Sequence, residues 1–355
     1  MNTALTYDDI QLVPKFSNIS SRKTINLSSL ITRRFGVMMP LVASPMDTVC
    51  DYEMAIRMAD MGGVGIIHRF MSIEEQSRQV NLVFKHVYCP EKAIFEDWGL
   101  PYDDWHSEVK AMPISAAVGA GGDYLERSEK LIQAGANIIL IDVAHGHHEN
   151  VKQAIKAIKW LSPNVDVIAG NIATYEAAND LIEWGADALR VGIGGGSLCT
   201  TRIKTGFGVP NVTCLEKICS ISTVPVMADG GIRTSGDIAK ALALGSSTVM
   251  LGSLLAGTEE APGKIVETAN GLYKRYRGAA SLETKVTHGQ ETRNVEGEST
   301  MIPFKGGVKY IIDGLLDGVK SAFSYGGARN LKEFRPEWIR ITSAGQNEAK
   351  PHLIK

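Results

Sequence analysis

Short apolar runs of strand length recur along the chain, each followed by a polar or glycine-rich turn and then by an amphipathic stretch. Eight such runs stand out: PLVASPMDTV (40–49), GVGIIHRF (63–70), PISAAVGA (113–120), NIILIDVAHG (137–146), DVIAGNIAT (166–174), ALRVGIGGGS (188–197), VPVMADGGI (224–232) and STVMLGSLLAG (247–257). Near-continuous apolarity suits strands covered on both faces, as parallel strands are. Between them lie helical patterns such as YEMAIRMADMG, DYLERSEKLIQAG, HENVKQAIKAIKWLS, TYEAANDLIEWG and TSGDIAKALALG, several closing on a glycine suited to a helix C-cap. Met54, Met58 and Met61 recur at helical spacing and read as core packing.

Strands alternating with helices fit either a closed (β/α)8 barrel or an open doubly wound sheet. Polar and glycine residues gather at the C-terminal end of nearly every run. A barrel assembles its active site at that end, whereas an open sheet concentrates its chemistry at one switch point. The predicted fold is a (β/α)8 TIM barrel, a single catalytic domain over residues 1–355. Two stretches break the rhythm: 84–112, between the second and third runs, and 275–307, after the eighth. Loops this long tend to be functional lids or disordered. The helical pattern VKYIIDGLLDGVKSAFSYGG then closes the barrel, and the polar tail after about residue 341 is expected to be loosely held.

Composition narrows the function. A hydrophobic share of 44% with 21% charged residues is that of a soluble globular protein. The formal net charge of -2 offers no basic field for nucleic acid. No apolar run approaches the ~20 residues of a membrane helix, so no membrane partner is expected. The start, MNTALTYDDIQLVP, lacks a basic stretch followed by an apolar one. Five cysteines (Cys50, Cys89, Cys199, Cys214, Cys219) are scattered without a CxxC pair. An odd, unpaired set suggests reduced thiols and a cytoplasmic location, and the spacing speaks against zinc.

The chemistry clusters after the sixth run, in GIGGGSLCTTR (192–202). Successive glycines let backbone amides approach a ligand, Ser197 adds a hydroxyl and Cys199 follows. By itself this could be a glycine-rich turn holding a half-buried cysteine. Beyond the seventh and eighth runs, however, Gly230, Gly231, Gly252 and Ser253 supply what a barrel phosphate site needs. Asp229 beside them can accept from ribose hydroxyls or serve as a turn residue. A cysteine next to a phosphate cradle is placed for covalent catalysis through its thiolate. Cys214 and Cys219 lie in the helical VTCLEKICSIS and read as packing, while Cys50 and Cys89 have no comparable setting. His68, His145, His147 and His148 lie near strand ends, where a structural role is the commoner one.

From GIGGGSLCTTR outward the sequence resembles the inosine monophosphate dehydrogenase and guanosine monophosphate reductase family. LTYDDIQLVP, SPMDTV, GGVGIIHRFMSIEEQ, IDVAHGH, AGNIAT, DGGIR, VMLGSLLAGTEE and VEG…IPFKGG carry the resemblance over nearly the whole chain. Gly195, where a proline often stands, is a departure. The resemblance implies a homotetramer that binds a purine nucleoside 5′-monophosphate. Ser197, Gly230, Gly231, Gly252 and Ser253 would take the phosphate side and Asp229 the ribose, with Ser281, Arg293 and Gly297 also in the substrate site. Cys199 would attack purine C2, Asp142 and Asn171 would face a nicotinamide cofactor, and a potassium ion would sit on the carbonyls of Gly192, Gly194 and Cys199.

The family has two branches. Dehydrogenases hydrolyse the covalent intermediate with a mobile flap carrying an Arg-Tyr pair. Reductases run the hydride the other way, release ammonia, and rely on a threonine and a glutamate, here Thr201 and Glu296. Arg275-Tyr276 precedes RGAAS and is not the flap pair, and the interval from Ser281 to Glu296 is short. Residues 84–112 are too few for the regulatory domains that usually interrupt dehydrogenases. SPMDTV, AHGHH and Arg69, where reductases often have lysine, lean the other way. The expectation is an NADPH-dependent GMP reductase without inserted domains. An IMP dehydrogenase using NAD and a non-catalytic nucleotide-binding barrel are the alternatives.

Overall fold

The apolar runs become strands because each is covered twice, by helices outside and by neighbouring side chains within. They are β1 (Leu41–Ala43), β2 (Val64–Ile67), β3 (Ser115–Val118), β4 (Ile138–Asp142), β5 (Asp166–Ile172), β6 (Ala188–Val191), β7 (Val226–Asp229) and β8 (Thr248–Leu251). In the computed structural model, which describes residues 3–88, 112–289, 292 and 295–348, all eight are parallel. β8 pairs with β1 and β6 pairs with β7, closing the sheet into the expected TIM barrel.

The period of two along each strand divides the core. Val42, Ile66, Ile138, Leu140, Ile168 and Met227 fill the barrel interior, while Leu41, Ile67, Ile139, Ile141 and Val167 belong to the larger core outside it. That outer layer is made by α1 (Tyr52–Asp60), α2 (Ile73–Tyr88), α3 (Tyr124–Gln133), α4 (Glu149–Leu161), α5 (Tyr175–Trp184), α6 (Asn211–Cys219), α7 (Ser235–Ala243) and α8 (Val308–Tyr325). Met54 and Met58 are fully buried there, so the methionine stripe is packing.

The barrel's N-terminal end is stoppered. A two-stranded hairpin, Ser29–Leu30 with Gly36–Val37, sends Ile31 and Phe35 into the interior cluster. Asp166, with no exposed surface, accepts from Thr32 Oγ1 at 2.6 Å, Arg34 Nε at 2.6 Å and the Arg34 amide at 3.2 Å. A buried carboxylate is tolerable only when paired in this way.

Three segments differ from expectation. Residues 84–88 continue α2, an amphipathic helix, and the rest of the predicted loop, 89–111, lies outside the described residues. The stretch 275–307 is not a simple loop. Gly271–Arg277 pairs antiparallel with Val266–Thr268 on one side and Ser299–Pro303 on the other. Alternating polar side chains hid this sheet, because it covers little of the core. The tail is also held: Trp338–Arg340 pairs with Ile10–Leu12, Ser343–Glu348 is helical, and Gln346 Nε2 donates to Asp9 at 3.2 Å. Among the described residues no helix is long and apolar enough to cross a membrane.

Candidate active site

A cavity of about 500 Å³ opens at the C-terminal mouth, lined by the turns after β1, β2, β4, β5, β6, β7 and β8, a size that suits a small-molecule ligand. The turn after β6 enters deepest. Gly192 has φ 139°, and a side chain there would overlap the Asp229 carbonyl, so the chain can pass beside β7 only as glycine. Gly194 to Ser197 then lead to half-buried Cys199 and a short helix, Thr201–Thr205.

Cys199 starts a line of polar groups. Its Sγ lies 3.1 Å from Thr201 Oγ1, which donates to Glu296 Oε2 at 2.7 Å. Backbone pairing holds Glu296 there. The Thr200 amide donates to the Glu296 carbonyl at 3.1 Å, the Glu296 amide to Ala280 at 3.1 Å, and the Glu298 amide to Leu198 at 3.0 Å. Gly297 forms bridges with both Cys199 and Ser281. A thiol, a hydroxyl and a carboxylate in series can pass a proton to or from a group bound at the sulfur.

The segment carrying Glu296 is clasped to the turn after β1. Asp47, almost wholly buried, accepts from Arg277 Nε at 2.9 Å and lies 2.9 Å from His288 Nε2. Arg277 reaches Thr287 Oγ1 at 3.0 Å as well. Burial works against the arginine's charge, but Asp47 and Glu283 outweigh it and its pKa is raised.

Gly230, Gly231, Gly252 and Ser253 line the same cavity together with Ser197. Asn211 Nδ2 donates to the carbonyls of Asp229 (3.2 Å) and Gly230, fixing that turn. Lys305 Nζ donates to the carbonyls of Ser253 (2.6 Å) and Leu254 (3.1 Å), fixing the other. Ser197 Oγ lies 3.1 Å from the buried hydroxyl of Tyr276, whose pKa burial raises. Glycine amides and hydroxyls gathered in such turns are the groups from which an anion cradle is built. The amides of Arg233 and Thr234, by contrast, go to Asp237, whose own amide goes to Thr234 Oγ1, so the start of α7 is already capped.

Between cradle and relay runs a line of charges. Arg190, in mid-β6 and only 7% exposed, donates through Nη1 to Asp142 Oδ1 at 2.6 Å and through Nε to Asp229 Oδ2 at 2.9 Å. Burial disfavours its charge, yet Asp229 and Asp142 more than compensate and raise its pKa. Asn171 Nδ2 donates to Asp229 Oδ2 at 2.7 Å and to the Gly192 carbonyl at 2.8 Å. Arg69 Nε is 3.5 Å from Asp142 Oδ2, an ion pair outside hydrogen-bond geometry, so this buried donor atom has no hydrogen-bond partner. That donor, Asp142 and Asn171 fit the polar groups of a nicotinamide and its ribose.

Cys199, Thr201, Glu296, Gly297, Asp142, Asn171 and Asp229 therefore line the same cavity as the cradle. Ser281 does not join them: it is buried, and its Oγ accepts from the Thr284 amide at 3.2 Å to cap the helix Leu282–Thr287. Arg293 lies outside the described residues. Of the carbonyls expected to hold a cation, that of Gly192 accepts from Asn171 Nδ2 at 2.8 Å, and Arg202 Nη2 donates to the neighbouring carbonyls of Ile193 (3.3 Å) and Val209 (3.1 Å). Three of the histidines near strand ends make structural contacts. His68 Nδ1 accepts from the Phe70 amide, His147 meets Asp180 at 2.8 Å, and His148 caps α4. Sequence reasoning missed Tyr276 and Arg190. The latter was legible as a charge inside the apolar run ALRV.

The chain matches the model of the IMP dehydrogenase / GMP reductase domain over residues 4–352. An inosine-5′-monophosphate dehydrogenase of Nitrosopumilus maritimus (strain SCM1) is 34% identical over 467 positions, covering 99% of this chain and 98% of the relative. That alignment is longer than this chain, so the relative carries segments absent here. An inosine-5′-monophosphate dehydrogenase of Cryptosporidium parvum is 38% identical over 385 positions, with 99% and 95% covered. Among solved structures, a cysteine-to-alanine variant of the GMP reductase of Trypanosoma brucei, in complex with guanosine 5′-monophosphate, superposes with a TM-score of 0.90 at 30% identity, covering 100% of this chain and 99% of that one.

Proposed function

Because the chain belongs to the IMP dehydrogenase and GMP reductase family, oxidoreductases acting on purine nucleoside monophosphates, we propose that it is a GMP reductase, converting GMP to IMP and ammonia. One observation carries this reading: Cys199, Thr201 and Glu296 stand in hydrogen-bonded line, and the segment bearing Glu296 pairs directly with the cysteine loop. Ser281 and Gly297 are bridge partners, so the chain between them is a short closed excursion, with little length for a hydrolytic flap.

The 5′-phosphate is held by the amides of Gly230, Gly231 and Gly252 and the hydroxyls of Ser197, Ser253 and Tyr276. Asp229 takes the ribose, which leaves the purine over Cys199. The Cys199 sulfur forms a bond to C2. The C2 amino group departs as ammonia with the proton that Thr201 hands on, Glu296 serving as its reservoir. Asp142 and Asn171 would hold a reduced nicotinamide, whose chemistry there would be to provide the hydride that C2 gains. Cys199 then leaves C2 with the electrons of the C–S bond, restoring the thiolate and releasing IMP. NADPH as donor, a homotetramer and a cytoplasmic location accompany this reading.

The names of the two dehydrogenase relatives favour a second reading, IMP oxidation with NAD. The same cysteine would then need a base for water, with Thr201 and Glu296 the groups in line with it. A crossed assay separates the two. GMP reductase activity consumes NADPH and releases ammonia with GMP, whereas a dehydrogenase reduces NAD with IMP. NAD reduction alone would overturn the proposal.

A further inference from the structure

A charge in the middle of a strand buried on both faces is expensive, and Arg190 is such a charge. β5 separates β6 from β4, and in register Asp142 stands beside Gly170 and Gly170 beside Arg190. A Cβ on residue 170 would lie 2.6 Å from the Cβ of Arg190. The missing side chain thus clears a channel over β5, through which the guanidinium reaches Asp142 on β4 while its Nε holds Asp229 on β7. One planar cation rooted in a third strand bridges two strand ends, a geometry that lysine, with a single point of charge, cannot reproduce.

We infer that Arg190 couples the two halves of the site, making nucleotide binding at Asp229 and dinucleotide binding at Asp142 favour each other. This rests on the ligand assignments of the proposed function. Among the described residues, the donors to the Asp229 carboxylate, Asn171 and Arg190, converge on Oδ2, so Oδ1 is the oxygen left for ribose hydroxyls. A ribose bound there fixes the carboxylate, the fixed carboxylate orients the guanidinium, and the guanidinium holds Asp142 Oδ1. Asp142 Oδ2 then faces the second ligand with its entropy of ordering already spent. Linkage requires the effect to be reciprocal.

The test uses IMP and NADPH, a pair between which no reaction proceeds, in fluorescence titrations of the full chain. Saturating IMP should tighten NADPH about fivefold or more, and saturating NADPH should tighten IMP by the same factor. In R190K, which keeps the buried charge, and in R190Q, that ratio should fall to within about twofold of unity. A merely structural role would weaken both ligands and leave the ratio unchanged. Coupling that survives in either variant, or is missing from the unaltered chain while both ligands bind, overturns the inference and leaves the proposed function standing. If the unaltered chain binds neither ligand, the proposed function falls and takes the inference with it. Should R190Q fail to fold, R190K decides.

Discussion

The Thr201 hydroxyl and the Glu296 carboxylate, 95 residues apart in the chain, meet at 2.7 Å with the Cys199 sulfur 3.1 Å beyond. Replacing Glu296 with Gln keeps the shape and removes the proton store. Turnover with GMP and NADPH should drop by about 10²–10⁴-fold while the dissociation constant of GMP changes little. Equal losses in binding and turnover would instead make Glu296 a structural prop.

Cys199→Ala removes the sulfur nucleophile from this line. Steady-state turnover should vanish, and calorimetry should still register GMP and IMP binding, since the cradle does not use the sulfur. Residual turnover near the unaltered rate would remove the cysteine from the mechanism.

Tyr276→Phe deletes a hydroxyl that stands 3.1 Å from Ser197 Oγ at the cradle. GMP should bind about fivefold more weakly, near the ~1 kcal/mol of an ordinary hydrogen bond, with kcat within about twofold. Guanosine, which lacks the phosphate, should bind the two proteins alike. A comparable loss with guanosine would place the hydroxyl's role elsewhere.

His68 gives the fold a pH dependence. Burial, the largest influence, lowers its pKa to about 4, against 6.5 for an unperturbed ring. The unfolded chain therefore binds a proton below about pH 6.5 that the folded chain refuses. Stability from the neutral ring is complete above that value and is lost as pH falls toward 4, up to about 3 kcal/mol in all. In urea unfolding at pH 7.5 and pH 4.5, His68→Gln should lose less stability between the two than the parent does. Equal losses would show that the ring is not what the acid attacks.

The barrel was legible in the sequence because parallel strands buried on both faces leave runs that little else produces, and all eight runs are strands. The lining of the cavity was legible because glycine, serine and cysteine stand directly after those runs. Tyr276 was not, since it lies on a hairpin strand whose polar alternation resembles a loop, and only pairing with Ser299–Pro303 reveals which side faces inward. Ser281 misled for the converse reason: helix caps and ligand contacts draw on the same side chains. The Asp47–Arg277 clasp joins residues 230 apart and has no local signature.

Arg277 and Ser299 face each other across the hairpin, so everything from 278 to 298 leaves and returns through a single doorway. A peptide of another length inserted there would not disturb the register of any barrel strand. Glu296 is in that sense carried on an exchangeable cartridge, seated on a scaffold that keeps Cys199, Thr201 and the glycine turns of the cavity. Under the proposed function, replacing the cartridge and leaving the barrel alone is the change that would trade ammonia release for hydrolysis.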